Sequence, residues 1–459
     1  MKKSSPITAL RGAIGAGPSR PPGPKSHFLL GNLPDFGRAP LDFLTRCHQD
    51  YGPIVGLRAL HRPVYLLNCP ELVDEVLVRQ SRNFIKSTLF YRHLTAIFGQ
   101  GLLISEGEFQ RRQRRLMAPA FHAERIAGYG EMMVRYTERM LQDWRAGELR
   151  NAHQDMMDLA MRIVARTLFA AEIGAEVAEI SRTFTAVVEE ISARLIRPFA
   201  VPAYLPTPGN RRYAKGIRQL DRLVYRLIRE HRRHGEDRGD LLSLLLTARD
   251  EDGQALTDQQ LRDELVTLFL GGHETTAVTL SWTWYLLARH PVVVDRLMAE
   301  LREVLGGRSP TVADFDRLIY AEGIIKEAMR LYPPAWAIAR EAVAPFELGG
   351  YQLPAGATLA ISPWVLHRDS RYFKQPEAFL PERWQEESSL SLPRQAFMPF
   401  GGGPRICIGQ RFAMVEAVLI LATIAQRFHL AWQAEYPITL LPSITLRPEG
   451  GVWVEVLPR

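Results

Sequence analysis

The chain has 459 residues, of which 46% are hydrophobic and 23% are charged, as expected for a globular protein with a large core. The formal net charge of +7 is mild for this length and does not by itself indicate nucleic-acid binding. Three cysteines, Cys47, Cys69 and Cys407, are too few and too far apart for a disulfide framework. No apolar run reaches the ~18 residues of a membrane helix, and no secretory signal is evident, so we expect a cytoplasmic protein without a membrane span.

The first part of the chain predicts a lead-in followed by small elements of both types. Residues 1–25 are rich in Gly and Pro, which favours a flexible or extended segment. The elements predicted next are, in order, a helix (41–51), two strands (53–57 and 64–68) and a second helix (70–78). Residues 83–105 show no clear period and are predicted to be a loop that covers a pocket.

A basic helix is predicted directly after this loop. Arg111 and Arg115 share one face of it, with Arg114 close by, and a solvated basic face or a nucleic-acid patch are the plain interpretations. Residues 124–248 are helical by pattern, with an interruption at the prolines between 198 and 208. The run of arginines and histidines at 226–238 is interpreted as a solvated helix end without chemistry.

Residues 261–290 predict one long helix, ended by Pro291, whose middle contains poor helix formers. These are Gly271-Gly272-His273-Glu274-Thr275-Thr276, in which each glycine costs ~1 kcal/mol relative to alanine. A glycine pair lets a bulky ligand lie against the backbone. A threonine hydroxyl can loosen the helix and hold water, and an adjacent acid can pass protons. An irregular packing helix without chemistry is the alternative.

Weaker patterns follow the long helix. Glu327 and Arg330 stand three residues apart on a predicted helix, a spacing that is typical of ordinary surface ion pairs. Strand-like stretches occupy 346–353 and 358–362. Residues 438–456 alternate apolar and polar side chains around Pro-Glu-Gly-Gly, which predicts a hairpin whose turn borders a pocket.

A glycine-rich loop brings Cys407 to the start of a helix predicted over 410–427. Free amide N–H groups at a helix N-terminus favour a thiolate, and Gly409 lets the backbone approach the sulfur. Glycines 401–403 allow the loop to fold against a flat object, and Arg405 can meet an anionic group on it. No second Cys or His lies nearby for a zinc site, so the set fits haem, with a buried free cysteine as the alternative.

The pattern Phe-x-x-Gly-x-Arg-x-Cys-x-Gly over 400–409 resembles the haem-binding loop of the cytochrome P-450 family. The glycine–acid–threonine segment at 271–276 is similar to the distal-helix signature of that family. The resemblance covers roughly residues 20–459. It implies one mainly α-helical domain with small β-sheets, over 26–459. The haem would lie between the long distal helix and the proximal helix that follows Cys407.

The resemblance also assigns roles to single residues. Thr275 is implied as the catalytic alcohol and Glu274 as the acid, which deliver protons while the O–O bond breaks. Cys407 is implied as the iron ligand. The residues implied around the cofactor are Arg114, Arg340, Arg405, Phe400, Gly403 and Gly409; those of a structural network behind it are Glu327, Arg330 and Arg383; those bordering the substrate pocket are Gly271, Ala335, Ala337 and Ile338. Gln110 replaces the tryptophan that is usual four residues before Arg114.

The implied function is a monooxygenase with haem b that inserts one atom of dioxygen into an apolar substrate by hydroxylation or epoxidation. Electrons are expected from a separate ferredoxin or flavodoxin with its reductase, because no residues remain for a fused flavin domain. Arg405 and Arg411, with arginines 111, 112 and 115, are candidates for a basic face toward that partner.

Two alternatives stay open at this point. One is a peroxide-driven peroxygenase or an isomerase of the same fold. The other is a non-catalytic haem-thiolate sensor, which would need the cysteine but neither Glu274 nor Thr275. The Pro-Pro-Ala-Trp segment at 333–336 weakly favours a lipid substrate, with terpenoids and polyketides equally open.

Overall fold

The structure is a computed structural model that describes residues 20–170, 207–234, 238–385 and 391–459, with positions 183, 187, 190 and 205 between them. Helices dominate these ranges, and the α-helices are α1 (Leu33–Arg38), α2 (Pro40–Tyr51), α3 (Pro70–Asp74), α4 (Leu89–Phe98), α5 (Gly107–Met117), α6 (Ala123–Leu141), α7 (Ala152–Phe169), α8 (Pro208–His234), α9 (Leu241–Thr247), α10 (Asp258–Arg289), α11 (Pro291–Leu305), α12 (Ile319–Leu331), α13 (Pro363–Leu366) and α14 (Gln410–Ala425). The prediction of a mainly α-helical fold with small sheets is confirmed.

The strands form four small sheets within the described residues. They are β1 (Ile54–Ala59), β2 (Arg62–Leu67), β3 (Phe84–Ile85), β4 (Leu149–Asn151), β5 (Ile338–Ala342), β6 (Phe346–Leu348), β7 (Tyr351–Leu353), β8 (Thr358–Ile361), β9 (Phe428–Trp432), β10 (Thr439–Pro442), β11 (Leu446–Glu449) and β12 (Trp453–Pro458). The largest sheet has the order β1-β2-β8-β5-β3, and only its β2–β8 pair is parallel. A second sheet has the order β4-β12-β9, and β6-β7 and β10-β11 are antiparallel pairs.

Helix α10 is the central element of the main core. It begins with a capping box, in which the Thr257 hydroxyl accepts a hydrogen bond from the Gln260 N–H and the Gln260 side chain accepts one from the Thr257 N–H. It ends before Pro291. Almost every side chain from Leu261 to Leu287 is buried, including several charged and polar ones, and the helix packs closely on α7.

Helix α14 is buried in the same way and packs on α6, α10 and α12. Only Gln410, Arg411 and Ala413 in its first turn lie outside the core. Each fully buried Leu, Ile or Phe in these helices contributes roughly 1.5–3 kcal/mol of transfer free energy. The two helices that carry the sequence motifs are therefore held by core packing and have little freedom to shift.

Two sequence predictions are corrected by the structure. Residues 83–105 are not one loop, because they contain α4, whose Tyr91, Leu94 and Phe98 share a buried helical face. The predicted hairpin around Pro-Glu-Gly-Gly is also wrong. Its strands β10 and β11 turn earlier, at residues 443–445, and the glycines instead connect β11 to β12 in another sheet.

The end of the N-terminal lead-in is extended and bound to the first strand. The Gly56 N–H donates to the Pro22 carbonyl at 2.7 Å, and a Cβ on Gly23 would lie 1.9 Å from the Gly56 carbonyl oxygen. A side chain at position 23 would therefore separate the two segments. Residues 1–19 lie outside the described ranges, and the boundary between lead-in and domain stays a prediction.

Candidate functional site

The cysteine loop is fixed by its backbone. The Cys407 N–H donates to the Phe400 carbonyl at 3.0 Å, and the Gly401 N–H donates to Met398 at 3.0 Å. Gly403 has φ +66°, and a Cβ there would lie 1.8 Å from the Leu77 carbonyl oxygen. Gly403 is thus required for two reasons. Its backbone is left-handed, and the loop packs closely on the short π-helix that follows α3.

Cys407 has solvent-accessible surface, although its thiol lies deep among protein atoms. Burial is the largest influence on its pKa and raises it, while a backbone N–H of Gly409 and the charges of Arg114 and Lys86 lower it. The predicted help from Gly409 is therefore present, but burial outweighs it. A bound cation is needed to keep this sulfur ionised, because a buried thiolate without one is expensive.

Four cationic side chains surround the cysteine loop. Arg114 donates to the Ile406 carbonyl at 2.8 Å, and Arg405 forms an ion pair with Glu106 at 2.9 Å. Arg340 is buried, and its guanidinium donates to the Ala339 carbonyl at 2.8 Å. Such a set of donors fits a ligand that carries carboxylate groups.

Lys86 is the fourth cation, and no pattern in the sequence indicates its role. It lies just before α4, and its ammonium donates to the Leu103 carbonyl at 3.1 Å. Burial, followed by the charges of Arg340 and Arg405, holds its pKa well below the ordinary value for lysine. The cations therefore repel one another, and an anionic ligand between them would relieve this cost.

A short accessible strip interrupts the buried surface of α10. Gly271 is exposed, Gly272 and Thr275 are half-buried, and the residues on either side of this segment are buried. A Cβ on Gly271 would meet no atom within 4 Å, whereas a Cβ on Gly272 would lie 2.9 Å from the Val164 side chain. The two glycines thus serve different purposes, an open approach at 271 and close helix packing at 272.

The predicted acid and alcohol are adjacent in sequence but have different surroundings. The Thr275 hydroxyl donates to the Gly271 carbonyl at 2.6 Å, and α10 runs unbroken, so the loosened helix that we expected is not seen. Glu274 is buried and accepts hydrogen bonds from Thr445 and from Arg447 Nε, the latter at 3.0 Å. Sequence analysis did not identify these two partners.

The predicted network of Glu327, Arg330 and Arg383 is present and fully formed. Glu327 accepts from Arg330 at 2.8 and 2.9 Å and from Arg383 at 2.9 Å. Trp384 Nε1 and the Leu380 N–H also donate to it. Arg330 has no exposed side-chain surface, and its remaining contacts are donated to the carbonyls of His367, Pro376 and Ala378.

A further buried acid lies between the two motif helices. Glu416 of α14 faces Thr276 of α10, and burial raises the pKa of its carboxyl to about 8. Thr276 lowers this pKa, and neither carboxylate oxygen of Glu416 has a hydrogen bond of normal geometry. Glu416 is therefore protonated at neutral pH. The apolar sequence of α14 gave no reason to assign it a role.

The predicted pocket residues Ala335, Ala337 and Ile338 lie on the chain that leads into β5, and all are half-buried. Of the predicted basic face, Arg112 and Arg115 are paired with Asp250 and Glu251. Arg405 belongs to the wall around the cysteine, so the prediction that it contributes to an outer basic face is wrong. Arg111 contacts Glu108, and the exposed Arg411 lies over the Phe315 ring.

Comparison with known proteins identifies the family. The sequence model of the family described as Cytochrome P450 matches residues 21–453. The chain belongs to the cytochrome P450 family. Because P450 enzymes bind haem through a cysteine thiolate, Cys407 and the cations around it are the candidate residues for holding that group. Among the described residues, no group of three or more His, Cys, Asp or Glu could hold a metal ion instead.

Three curated relatives come from Streptomyces. The chain is 42% identical to cyclooctatin synthase of Streptomyces melanosporofaciens, with 88% of each chain covered. It is 40% identical to cyclooctat-9-en-7-ol 5-monooxygenase of the same organism, with 94% of each covered. It is 35% identical to pentalenene oxygenase of Streptomyces avermitilis, with 92% of this chain and 91% of the relative covered.

This P450 is accordingly an oxidoreductase, a monooxygenase that inserts one oxygen atom of dioxygen into an apolar organic substrate and needs a redox partner. The main functional prediction from the sequence is confirmed. Within the described ranges, no helix has the length and apolarity that crossing a bilayer requires. The expected cytoplasmic location stays a prediction.

Proposed function

We propose that this P450 oxidises a cyclic terpenoid, and that it uses haem b held by Cys407. The observation that carries the substrate proposal is the similarity, over most of the chain, to relatives that are named for cyclooctatin, cyclooctat-9-en-7-ol and pentalenene. The accessible strip at Gly271 supports it, because a residue without a side chain leaves room for a rigid ring system. Terpenoids thereby take precedence over the fatty acids that the sequence weakly favoured.

The residues around the cysteine fit the cofactor. The Cys407 sulfur would supply the one protein ligand to iron, and Arg114, Arg340, Arg405 and Lys86 would bind the two propionates. Phe400, Gly403 and Gly409 would shape the loop beneath the ring. When bound, haem supplies the activation of dioxygen. Glu327, Arg330 and Arg383 support the fold and do not contact the reacting atoms.

Proton supply is assigned to the distal helix. One oxygen atom enters the substrate and the other leaves as water, so the reaction consumes two electrons and two protons. Thr275 presents its hydroxyl on the accessible strip and would orient a proton donor there. Glu274 would bring protons from solvent to Thr275. Ala335, Ala337 and Ile338 would contact the substrate from the other wall.

The electrons are proposed to come from a ferredoxin or flavodoxin with its reductase. The exposed Arg411 in the first turn of α14, directly after the cysteine loop, supports a contact with an acidic carrier. Charge reversal at Arg411 should slow reduction by such carriers without changing reduction by dithionite. Equal rates for both proteins with the carrier would contradict this part of the proposal.

The first test is the carbon monoxide difference spectrum of the reduced protein and of Cys407→Ala. We expect a strongly red-shifted Soret band in the wild type and its loss in the variant, which should still fold. A Cys69→Ala variant is the matched control, because Cys69 is a buried free cysteine in β-sheet packing. A red-shifted band that survives in Cys407→Ala would refute the assigned iron ligand.

The substrate class is tested by titration with cyclic terpene hydrocarbons, their monohydroxylated derivatives and long-chain fatty acids. We expect a spin-state shift and product formation with terpenoids. Thr275→Ala should retain haem and divert reducing power into peroxide, whereas a sensor or peroxygenase would be insensitive to it. Turnover of fatty acids alone would overturn the terpenoid proposal and leave the monooxygenase assignment intact.

A further inference from the structure

The C-terminal hairpin β10–β11 reaches the distal helix at Glu274. The Thr445 hydroxyl donates to Glu274 Oε1, and Arg447 approaches the same oxygen with Nε at 3.0 Å and Nη2 at 2.8 Å. The side chain of Glu274 is 1% exposed and that of Arg447 is 6% exposed. None of these three contacts involves Oε2, the second carboxylate oxygen. The hairpin therefore holds this carboxylate by one oxygen.

Other contacts fix the hairpin in this position. The Leu446 carbonyl accepts from Trp282 Nε1 at 2.8 Å, and the Leu446 N–H donates to the Pro334 carbonyl at 3.1 Å. Trp336 Nε1 donates to the Ser443 carbonyl at 2.8 Å. Three consecutive residues, 445–447, thus join the distal helix directly. The same turn binds the segment that contains the proposed substrate-facing residues.

Arg447 is the cation in contact with Glu274. Two histidines lie near the pair, but burial lowers the pKa of His153 to about 4 and that of His273 to about 3, and the charge of Arg447 contributes in both cases. Both rings are therefore neutral at neutral pH. His153 instead contacts the Ser281 hydroxyl at 2.9 Å.

We propose that Arg447, assisted by Thr445, is a positioning residue for proton delivery, which fixes Glu274 through Oε1 and leaves Oε2 to carry the proton. The proposal rests on the role that we propose for Glu274. The proton passes from solvent to Oε2 and from there toward Thr275, and no other bond changes. After each donation a carboxylate remains in a buried position, where an unpaired charge is expensive. Arg447 stabilises that carboxylate and so permits the donation.

The kinetic test compares Arg447→Met, Arg447→Lys, Glu274→Gln and the double variant Arg447→Met/Glu274→Gln. Arg447→Met should lower product formed per electron pair by roughly tenfold or more, since general acid–base catalysis contributes ~10²–10⁴-fold. Its kinetic solvent isotope effect should rise. Arg447→Lys keeps the charge and should restore part of the coupling. In the Glu274→Gln background, Arg447→Met should add no further loss.

A second readout does not depend on turnover. In Arg447→Met the buried Glu274 carboxyl should take a proton, because no cation is left to stabilise its charge. The infrared difference spectrum of the resting protein against wild type should then contain the C=O stretch of a carboxylic acid. That band should be absent from the double variant and from Arg447→Lys. The band tests whether Arg447 is the charge partner of Glu274, whereas coupling and the isotope effect test its role in proton delivery.

Trp282→Phe is the matched control, because it removes a hydrogen bond between hairpin and helix without touching the ion pair. It should lower thermal stability and leave coupling and the isotope effect near wild type. If Arg447→Met does not fold, Thr445→Val and Arg447→Lys still test the proposal by removing single contacts to Oε1. Equal losses from Arg447→Met in both backgrounds, or no infrared band, would overturn it.

Two variants separate the role of Glu274 from that of Arg447. If Glu274→Gln alone leaves coupling unchanged, the proposed role of Glu274 fails, and the role of Arg447 fails with it. If Glu274→Gln uncouples the enzyme but Arg447→Met does not, only the positioning role is wrong.

Discussion

Two buried clusters of charge in this P450 differ in how their charges are balanced. In the cluster around Glu327, the carboxylate meets two arginines, a tryptophan N–H and a backbone N–H, all from the protein. Around Cys407, Arg340 and Arg405 lie close enough to lower the pKa of Lys86, and Glu106 forms an ion pair with Arg405. The first cluster is complete within the protein alone. The second carries an excess of positive charge.

The two clusters therefore have different roles, because the first stabilises the fold and the second favours binding of an anionic ligand. A network that satisfies its own charges stabilises the fold whether or not a ligand is present, and breaking it leaves an uncompensated buried charge. A set of like charges gathered around a recess destabilises the fold until an anion binds between them. Mutations in the two clusters should therefore affect the apoprotein in opposite directions.

The largest effect is expected for Arg330→Met, which leaves Glu327 buried with one arginine fewer. The free energy of unfolding should fall by roughly 3–5 kcal/mol in both the haem-free and the loaded protein. Urea unfolding measures this, and Lys326→Met on the same helix is the control. Its partly exposed pair with Glu322 should contribute no more than ~0.5 kcal/mol. A similar loss of unfolding free energy in both variants would mean that burial gives the Glu327 network no more stability than the Lys326–Glu322 pair has.

The opposite response is expected for Lys86→Met. Removal of a buried charge that repels Arg340 and Arg405 should raise the unfolding free energy of the apoprotein by roughly 1–3 kcal/mol. Haem should at the same time dissociate about tenfold faster, because one charge-assisted hydrogen bond to a propionate is lost. Transfer of haem to a competing apoprotein gives that rate. Faster haem loss without a gain in apoprotein stability would contradict the proposal that repulsion between these cations destabilises the apoprotein.

Glu416 adds a third case, a buried acid beside which no cation lies among the residues that the structure describes. Its carboxyl has a pKa of about 8 in the folded protein, above the ~4.3 of an unfolded glutamate. The folded state therefore binds more protons between these values, so stability is present at low pH and falls as pH rises through this window. The slope is at most ~1.4 kcal/mol per pH unit for one group.

Glu416→Gln should flatten this slope, as measured by denaturant unfolding between pH 6 and pH 9. Glu264, whose carboxyl pKa burial also raises to about 8, keeps a residual slope in the variant. Unchanged pH dependence in Glu416→Gln would mean that the carboxyl is ionised in the fold and has a partner.

The smallest effect distinguishes the two glycines of the distal helix. Gly271→Ala should stabilise the helix by up to ~1 kcal/mol, because the new methyl group meets no atom. In Gly272→Ala the contact with Val164 should cancel this gain, so its thermal midpoint should lie below that of Gly271→Ala. Terpenoid affinity should fall only for Gly271→Ala. Equal affinities in the two variants would exclude Gly271 from the substrate pocket.

The parts of the site that the sequence could reveal are those encoded in short, consecutive stretches. The loop from Phe400 to Gly409 is one such stretch, because its glycines, its cysteine and the start of the following helix stand at fixed spacings. The Glu327–Arg330 pair was also visible, although its spacing alone resembles a surface ion pair. Only its complete burial, with Arg383 and Trp384 as further partners, shows that it is a structural network.

Other parts of the site and of the fold could not be recognised from neighbouring residues in the sequence. Lys86 lies in a stretch that the sequence predicts to be a loop, and its importance comes from charges that other segments bring to it. The sequence places the turn of the C-terminal hairpin at the glycines, and therefore does not indicate a role for Thr445 or Arg447. The buried face of α4 was present in the sequence at helical spacing, but it was short and bordered by glycines.

The sequence alone determined the family of this protein and, through that resemblance, its mainly helical fold and the candidate iron ligand Cys407, because the motifs that carry the resemblance are short and consecutive. Only the tertiary structure decided which charges are balanced. Arg447 meets Glu274 across 173 positions, and Lys86 meets cations from two distant segments. Electrostatic interactions depend on separation in space and on burial, and neither can be read from separation along the chain.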